Sequence, residues 1–300
     1  MSNYDIITVV LDFEEWLQAR NLSDSSVYVY VAAVKKFLMD HPDVESIDAY
    51  NNFIFEHSIK KRSNYFYDAL KLFVRFHFDN DSKRMNVLLR NLLKPKTNSP
   101  KKHVRYLDDD TREQIIKLLT NYKHRIIAKI QNSTGVRAGD ILRLKRGSIS
   151  YEAYNDETIV LRIDFDGKGG KHFIKWVFDK DIQIQIDLFM KANILNTEYY
   201  FLERRIDERP DTLYKDFRNN YNHYLMDLKQ ALNTYGLEYE DWATHDFRRS
   251  FARNVWNKTK DPVLLKEMLN HEQFDTTLRY LRGSGLQVKD VYFELNNEKG

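Results

Sequence analysis

The chain has 300 residues, no cysteine and a formal net charge of +3 at pH 7. This length predicts one large or two modest domains, and the lack of cysteine excludes disulfides, thiolate catalysis and thiolate metal sites. No apolar run is long enough to span a membrane and no signal-peptide pattern opens the sequence, so we expect a cytoplasmic protein. Because the net charge is small, a nucleic-acid partner requires the basic residues to be clustered.

The first ninety-odd residues have the apolar spacing of amphipathic helices, as at Ile6, Val9, Phe13 and Leu17. This spacing predicts helices over residues 5–20, 23–39, 46–59 and 63–78, with a shorter one over 85–92. The expected structure is a bundle of four or five helices that holds no candidate catalytic set.

Residues 94–105, KPKTNSPKKHVR, have two prolines and several cations but no carboxylate. Such a composition resists packing into a core and predicts a linker. A basic linker suits a protein that closes around a polyanion and releases counterions. A merely flexible tether remains the alternative.

The next stretch predicts helices after the acidic turn at residues 107–110 and over residues 122–131. The second helix breaks at Thr134-Gly135, and Arg137 and Asp140 follow that break. We expect Leu118 to lie on the buried face of the preceding helix with three neighbouring apolar residues, Ile115, Ile116 and Leu119.

Residues 149–177 form the one convincing β region. Strand patterns at residues 158–165 and 172–177 flank the turn DGKGGK, which carries Lys168 and Lys171. Its glycines allow the backbone to approach a ligand closely. The turn lacks the P-loop spacing and the Ser or Thr that follows it, so we exclude ATP binding.

After predicted helices at 181–192 and 211–232, a helix is expected from Thr244, as its N-cap, to about Lys258. On it, His245 and Arg248 are three residues apart and share a face.

Asp261 and Pro262 predict the start of another helix, with a capping carboxylate and a proline at the first helical position. Its apolar residues predict that it is largely buried: Val263, Leu264, Leu265, Met268 and Leu269. It should end at Asn270, which tolerates a left-handed conformation, and His271 follows. Asp275 is expected to cap a last helix, which carries Tyr280.

These stretches bring a phenol, guanidinium groups and two imidazoles toward one region. A tyrosine has an ordinary pKa of about 10 and becomes a nucleophile only beside cationic or proton-accepting groups. Arginine binds phosphate oxygens in a bidentate manner. The combination suits attack on a phosphodiester. The two histidines have too few accompanying ligands for a metal site, so no metal and no cofactor is expected.

At these positions the sequence resembles the tyrosine recombinase (integrase) family, with proportions most like Xer-type recombinases. The matching positions are Thr134, Gly135, Arg137, Asp140, Ile141 and Leu144, then Lys168, then His245 and Arg248, then Leu269, Asn270 and His271, then Thr276, Thr277 and Tyr280. The resemblance is firm over residues 105–285. Three positions depart from the family pattern: Asp140 replaces Glu, Arg249 replaces His, and Asn270 replaces Gly. None removes a chemical group that the reaction needs.

The resemblance implies a mainly α fold with a small antiparallel β-sheet. Residues 1–93 would be the core-binding (SAM-like helical) DNA-binding domain, 94–105 the basic linker, and 106–300 an α+β catalytic domain with a C-terminal exchange segment. Candidates for contact with DNA are Lys35, Lys36, Lys61, Arg62, Lys71, Arg75, Lys101, Lys102, Arg105 and Lys171.

The catalytic residues implied are Arg137, Lys168, His245, Arg248, His271 and Tyr280. Tyr280 would attack a phosphodiester, and Lys168 would be the general acid. Asp140 would brace the site.

The implied partner is double-stranded DNA with inverted half-sites, recombined by four protomers through a Holliday junction. Two alternatives remain: a type IB topoisomerase-like enzyme, and a catalytically silent DNA-binding accessory protein. Dimer resolution and mobile-element integration both fit.

Overall fold

The computed structural model describes residues 3–41, 43–61, 64–96, 106–167, 171–192, 198–202, 212–238, 244–274 and 276–277. The chain divides into two compact units, Met1–Lys101 and Lys102–Gly300.

The first unit is a helical bundle. Its helices are α1 (Asn3–Gln18), α2 (Asp24–Asp40), α3 (Ile47–Lys61), α4 (Tyr65–His77) and α5 (Ser82–Asn91). The core is aromatic: Phe13, Phe37, Phe53 and Phe73 are at most 1% exposed. The apolar spacing of the sequence therefore predicted these helices correctly, and their boundaries differ by only a few residues.

The second unit combines seven described helices with a three-stranded sheet. The helices are α6 (Asp109–Leu118), α7 (Tyr122–Thr134), α8 (Ala138–Leu142), α9 (Lys180–Ala192), α10 (Thr212–Thr234), α11 (His245–Thr259) and α12 (Pro262–Leu269). Strands β1 (Ile149–Ala153), β2 (Ile159–Gly167) and β3 (Lys171–Val177) are antiparallel in the order β1-β2-β3. The predicted fold class, mainly α with a small antiparallel sheet, is confirmed.

Helix α7 lies at the centre of the second unit. It packs against α6, α8, α9, α11 and β3, and Ile126, Ile127 and Ile130 are fully buried. Its polar Gln131 is also buried and accepts a hydrogen bond from the hydroxyl of Tyr224 on α10 at 2.7 Å. The C-terminal end of α7 is thus held in the interior, and this fixes the position of Gly135, where the chain leaves the helix.

Two local predictions were wrong. Helix α12 is not largely buried, because only one face of this short helix packs against the rest of the unit. Leu265 and Leu269 on that face are buried, but Val263 is 56% exposed and Leu264 is 38% exposed. Leu118 is also exposed, at the last residue of α6. Thr244 is the N-cap residue of α11, as predicted, but its side chain makes no capping hydrogen bond. Its hydroxyl pairs instead with that of Tyr221 at 2.8 Å.

None of the helices in the described ranges has the length and apolar character needed to cross a bilayer.

Candidate active site

The break between α7 and α8 positions Arg137. Gly135 has a φ of 69°, and a Cβ there would lie 2.3 Å from the ring of Phe251. Glycine is therefore required both by the left-handed backbone and by the packing. Two residues later the backbone is extended at Arg137, which is the N-cap residue of α8 and has a side chain that is 40% exposed.

Asp140 lies near Arg137, three residues further along the chain. Its Oδ2 lies 3.8 Å from Nη1 of Arg137, and the carboxylate is buried. Burial raises the pKa of Asp140, while Arg137, Arg143 and Arg248 oppose that effect. Asp140 is thus a buried carboxyl group whose ionised form is favoured by three nearby guanidinium groups.

Arg248 is the buried cation of the site, with 2% of its surface exposed. Its Nη1 donates to the carbonyl oxygen of Gly135 at 2.8 Å, and its Nη2 donates to the carbonyl oxygen of Leu269. One side chain of α11 therefore connects the α7–α8 break with the end of α12.

His245 lies one turn before Arg248 and is exposed. Partial desolvation, followed by the charges of Arg248, Arg137 and Arg249, lowers its pKa below the ordinary value. The imidazole is therefore biased toward its neutral form, in which one nitrogen donates and the other accepts.

The end of α12 brings in the second imidazole. Asp261 caps the helix through Val263 and Leu264 N–H groups, as predicted, and Asn270 adopts the predicted left-handed conformation with φ 50°. His271 follows, 6% exposed, with Nδ1 2.9 Å from the Oγ1 of Thr277. Desolvation and the charges of Arg248 and Arg137 lower the pKa of His271 to about 4.

A cavity of about 600 Å³ opens beside these residues. It is lined by Arg137, Gly167, Lys171, Phe173, Asn270, His271, Glu272, Gln273 and Thr276. Lys171 and Glu272 form an ion pair at its exposed rim. In the ranges that the structure describes, no cluster of three or more His, Asp or Glu side chains is arranged to hold a metal ion.

The structure brings together Arg137, Asp140, His245, Arg248 and His271. Two further predicted catalytic residues, Lys168 and Tyr280, lie outside the described residues, as does the predicted cap Asp275.

Among the candidates for DNA contact in the first unit, Lys35, Lys36 and Arg75 are exposed. Lys71 is half-buried, with its Nζ 6.0 Å from the ring centroid of Tyr67. Arg62, Lys101, Lys102, Arg105 and the side chain of Lys61 lie outside the described residues.

Lys175 is a residue beside the site that was not predicted from the sequence. It lies on β3 between Phe173, which packs on the core, and the buried Val177. Its Nζ donates to the carbonyl oxygen of Met268 at 2.6 Å. The strand alternation was the available signal, because it places Lys175 on the inward face with those two residues.

Comparison with known proteins identifies the family. Residues 105–284 match the model of the phage integrase family. The tyrosine recombinase XerA of Pyrococcus horikoshii is 22% identical over 300 residues, covering 96% of this chain and 93% of the relative. XerA of Pyrococcus furiosus is 26% identical over 296 residues, covering 96% and 94%.

A solved structure has the same fold. The XerH site-specific recombinase, bound to its difH substrate in a pre-cleavage complex, superposes with a TM-score of 0.63 at 16% identity, covering 98% of this chain and 84% of that one. The family match extends over more than half of the chain and includes every residue of the site. The chain therefore belongs to the phage integrase family and is a Xer-like tyrosine recombinase, an enzyme of site-specific recombination.

Proposed function

We propose that the enzyme cleaves and rejoins DNA through a 3′-phosphotyrosyl intermediate formed at Tyr280. The observation that supports this most directly is the anchoring of Arg248 between two main-chain carbonyls, beside Arg137 and His271. A buried cation fixed before the substrate arrives needs little reorganisation when charge develops on a phosphate, which is the arrangement that stabilises transition states best.

The strand-cleavage step requires neither a metal ion nor a nucleotide, because every bond that breaks is matched by one that forms. The phenolic oxygen of Tyr280 forms a bond to phosphorus as the bond from phosphorus to the 5′-oxygen breaks. Lys168 protonates that leaving oxygen, and Arg137 and Arg248 stabilise the non-bridging oxygens. In rejoining, a 5′-hydroxyl of the partner strand displaces the tyrosine, so the bond energy is retained.

The two histidines act as neutral groups in this scheme. Because desolvation, and after it the neighbouring guanidinium groups, lower both imidazole pKa values, each ring keeps one N–H and one acceptor nitrogen at neutral pH. If the Thr277 hydroxyl donates to Nδ1 of His271, Nε2 carries the proton and can donate to a phosphate oxygen. His245 would orient the phosphate or accept the proton of the nucleophile.

Asp140 would act through Arg137 rather than on the substrate. A buried carboxylate near a half-exposed guanidinium limits the positions which that group can take. We propose that it holds Arg137 toward the cavity, where both Arg137 and His271 are lining residues.

The two units would divide the work on DNA. We propose that residues 1–93 are the core-binding domain, that 94–105 form the basic linker, and that 106–300 form the catalytic domain with a C-terminal exchange segment. The exposed Lys35, Lys36 and Arg75 support contact of the first unit with phosphates, and Lys171 would add one at the rim of the cavity.

The substrate would be double-stranded DNA with inverted half-sites, acted on by a homotetramer through a Holliday junction in the cytoplasm. The related XerH was solved bound to its difH substrate, before and after cleavage, and a lambda integrase dimer was solved on a COC′ core site. Resolution of chromosome or plasmid dimers and integration or excision of a mobile element are the two biological roles that fit.

A suicide substrate tests the proposal. A duplex nicked near the cleavage position lets the short product diffuse away, so cleavage traps a covalent protein–DNA adduct. Wild type should give an adduct at Tyr280, identified by peptide mapping, and Tyr280→Phe should give none while binding the DNA with unchanged affinity. An adduct that survives in Tyr280→Phe contradicts the assignment.

Binding without an adduct in wild type would indicate an accessory protein. Relaxation of a supercoiled plasmid without junction products would indicate a topoisomerase.

A further inference from the structure

Two cations share the C-terminal end of α12. Helix ends leave carbonyl groups without partners inside the helix and carry partial negative charge. The carbonyls of Lys266 and Glu267 accept from the N–H groups of His271 and Asn270. The carbonyl of Leu269 accepts from Arg248.

The remaining carbonyl of that turn, at Met268, accepts from Lys175 at 2.6 Å. The side chain of Asn270 is the second partner. With its amide in the orientation that satisfies both polar atoms, the oxygen accepts from Nζ of Lys175 at 3.2 Å and the nitrogen donates to the carbonyl of Glu267 at 3.0 Å. Lys175 thus joins the β2–β3 hairpin to the residues immediately before His271.

The position is an unusual one for an ammonium group. Lys175 pairs with Ile163 across the sheet and shares a strand face with Phe173 and Val177. In the described part of the chain its hydrogen-bond partners are neutral oxygens, its Nζ lies 5.7 Å from the centroid of the Phe173 ring, and the charge of Arg248 lies near. Desolvation and that charge lower the pKa of Lys175 to about 8. A charge held in this way adds little net stability, so a role in arranging its surroundings explains it better.

We propose that Lys175 is a positioning residue for DNA cleavage: it fastens the end of α12 to the hairpin and so fixes where His271 enters the cavity and where Arg248 is anchored. This rests on the roles proposed above for His271 and Arg248. Lys175 is not among the residues that line the cavity and acts through its neighbours.

The test compares Lys175→Met with Lys117→Met in the full chain. Methionine keeps the length and apolar stem of lysine but removes its charge and donors. Lys117 is an exposed lysine on α6, so its variant has the same change in net charge. The probe is a nicked duplex that wild type has selected by covalent capture from a randomised inverted-repeat library.

Lys175→Met should form the adduct about 10- to 100-fold more slowly at saturating DNA, because misplacement of catalytic groups by about 1 Å has effects of that size. Its DNA affinity should stay within about twofold of wild type, and its melting temperature within a few degrees. Lys175→Arg, which keeps a cationic donor, should recover much of the rate. Lys117→Met should match wild type in every respect.

The pKa of His271, followed by NMR in the same variants without DNA, separates positioning from general stability. It should rise toward the ordinary histidine value in Lys175→Met, because the loosened end of α12 admits water to His271. It should not change in Lys117→Met. If Lys175→Met does not fold, Asn270→Gly removes the amide partner while suiting the φ of 50°, and it should slow cleavage about 3- to 10-fold.

Three results overturn the proposal. These are an unchanged His271 pKa in Lys175→Met, cleavage within twofold of wild type, and a loss of DNA affinity with an unchanged rate at saturation. If wild type captures no duplex at all, the proposed chemistry fails, and the His271 titration still decides the role of Lys175.

Discussion

Arg248 and Gly135, 113 residues apart in the chain, are joined by a hydrogen bond of 2.8 Å from the Nη1 of the arginine to the carbonyl oxygen of the glycine. The direction of that carbonyl is set by the left-handed backbone at Gly135. The same glycine leaves room for Phe251, which lies on α11 one turn beyond Arg248. Glycine at position 135 therefore determines how α11 and its arginine approach the α7–α8 break.

Gly135→Ala should lower the free energy of unfolding by about 2–4 kcal/mol. Alanine is strained in the left-handed backbone conformation of this position, and its methyl group would overlap the Phe251 ring. Gly147→Ala is the matched control: it also has a positive φ, but a Cβ there meets no atom within 4 Å, so it should cost about 1 kcal/mol. Urea denaturation of both variants measures the difference. An equal loss of unfolding free energy in the two variants would show that the Phe251 ring moves aside at no cost.

Arg248→Lys should reduce the rate of adduct formation by about 10²- to 10³-fold, the usual effect of losing a preorganised donor. A single ammonium cannot reproduce the planar fork that reaches the carbonyls of Gly135 and Leu269 together. Arg253→Lys, on the same helix, changes a residue stacked 4.5 Å from the Tyr106 ring centroid and should leave the rate within about threefold. Single-turnover cleavage of the nicked duplex provides both values; similar losses would remove the special role of Arg248.

Local chemistry made much of this fold and site predictable from the sequence. The cap at Asp261, the proline after it and the left-handed Asn270 are each determined by neighbouring residues, and each was predicted correctly. The strand alternation likewise gives the inward face of β3. Periodicity does not show how much of a face its neighbours cover, and so Val263 and Leu264 were wrongly expected to be buried.

The missed features all depend on packing between distant segments. Lys175 and Met268 are 93 residues apart, and the strand pattern does not reveal which helix end will meet the lysine. The hydrogen bond between the hydroxyls of Tyr221 and Thr244 likewise cannot be predicted from neighbouring residues. The sequence thus predicts the reactive groups, and the structure adds the contacts made by those that it describes, such as Arg248 and His271.

Asp227 on α10 should be a major stabilising residue of the second unit. Its carboxylate accepts hydrogen bonds from the N–H groups of Thr120 and Asn121 and from the hydroxyl of Thr120, and it lies 2.7 Å from Nδ1 of His124. Burial acts to raise its pKa, but these hydrogen bonds outweigh burial and lower it. Asp227→Asn should cost about 2–4 kcal/mol, since it turns an amide toward donors that need an acceptor.

The pH dependence of that stabilisation has a definite sign. A carboxyl group whose pKa is lower in the folded state contributes stability that is present above its unfolded value of 3.8 and is lost as the pH falls through the folded value. The loss caused by Asp227→Asn should therefore be largest near neutral pH and shrink below pH 4. Asp181→Asn, at a side chain that is 74% exposed, should cost under about 1 kcal/mol. Urea titrations of both variants at several pH values test the comparison.

His271 should titrate near pH 4 in the DNA-free protein, well below the ordinary histidine value of 6.5, because burial and the charges of Arg248 and Arg137 disfavour the imidazolium. Between those two values the unfolded chain binds more protons than the folded one, so this group lowers stability as the pH falls from 6.5 toward 4. The effect is at most about 3 kcal/mol. Inorganic phosphate should raise the pKa, since an anion in the cavity offsets the two guanidinium charges. Imidazole NMR signals, assigned with a His271→Gln variant, report both values. A pKa at or above 6.5 without phosphate, or no response to phosphate, would mean that the cavity lined by His271 and Arg137 does not bind phosphate beside the charge of Arg248.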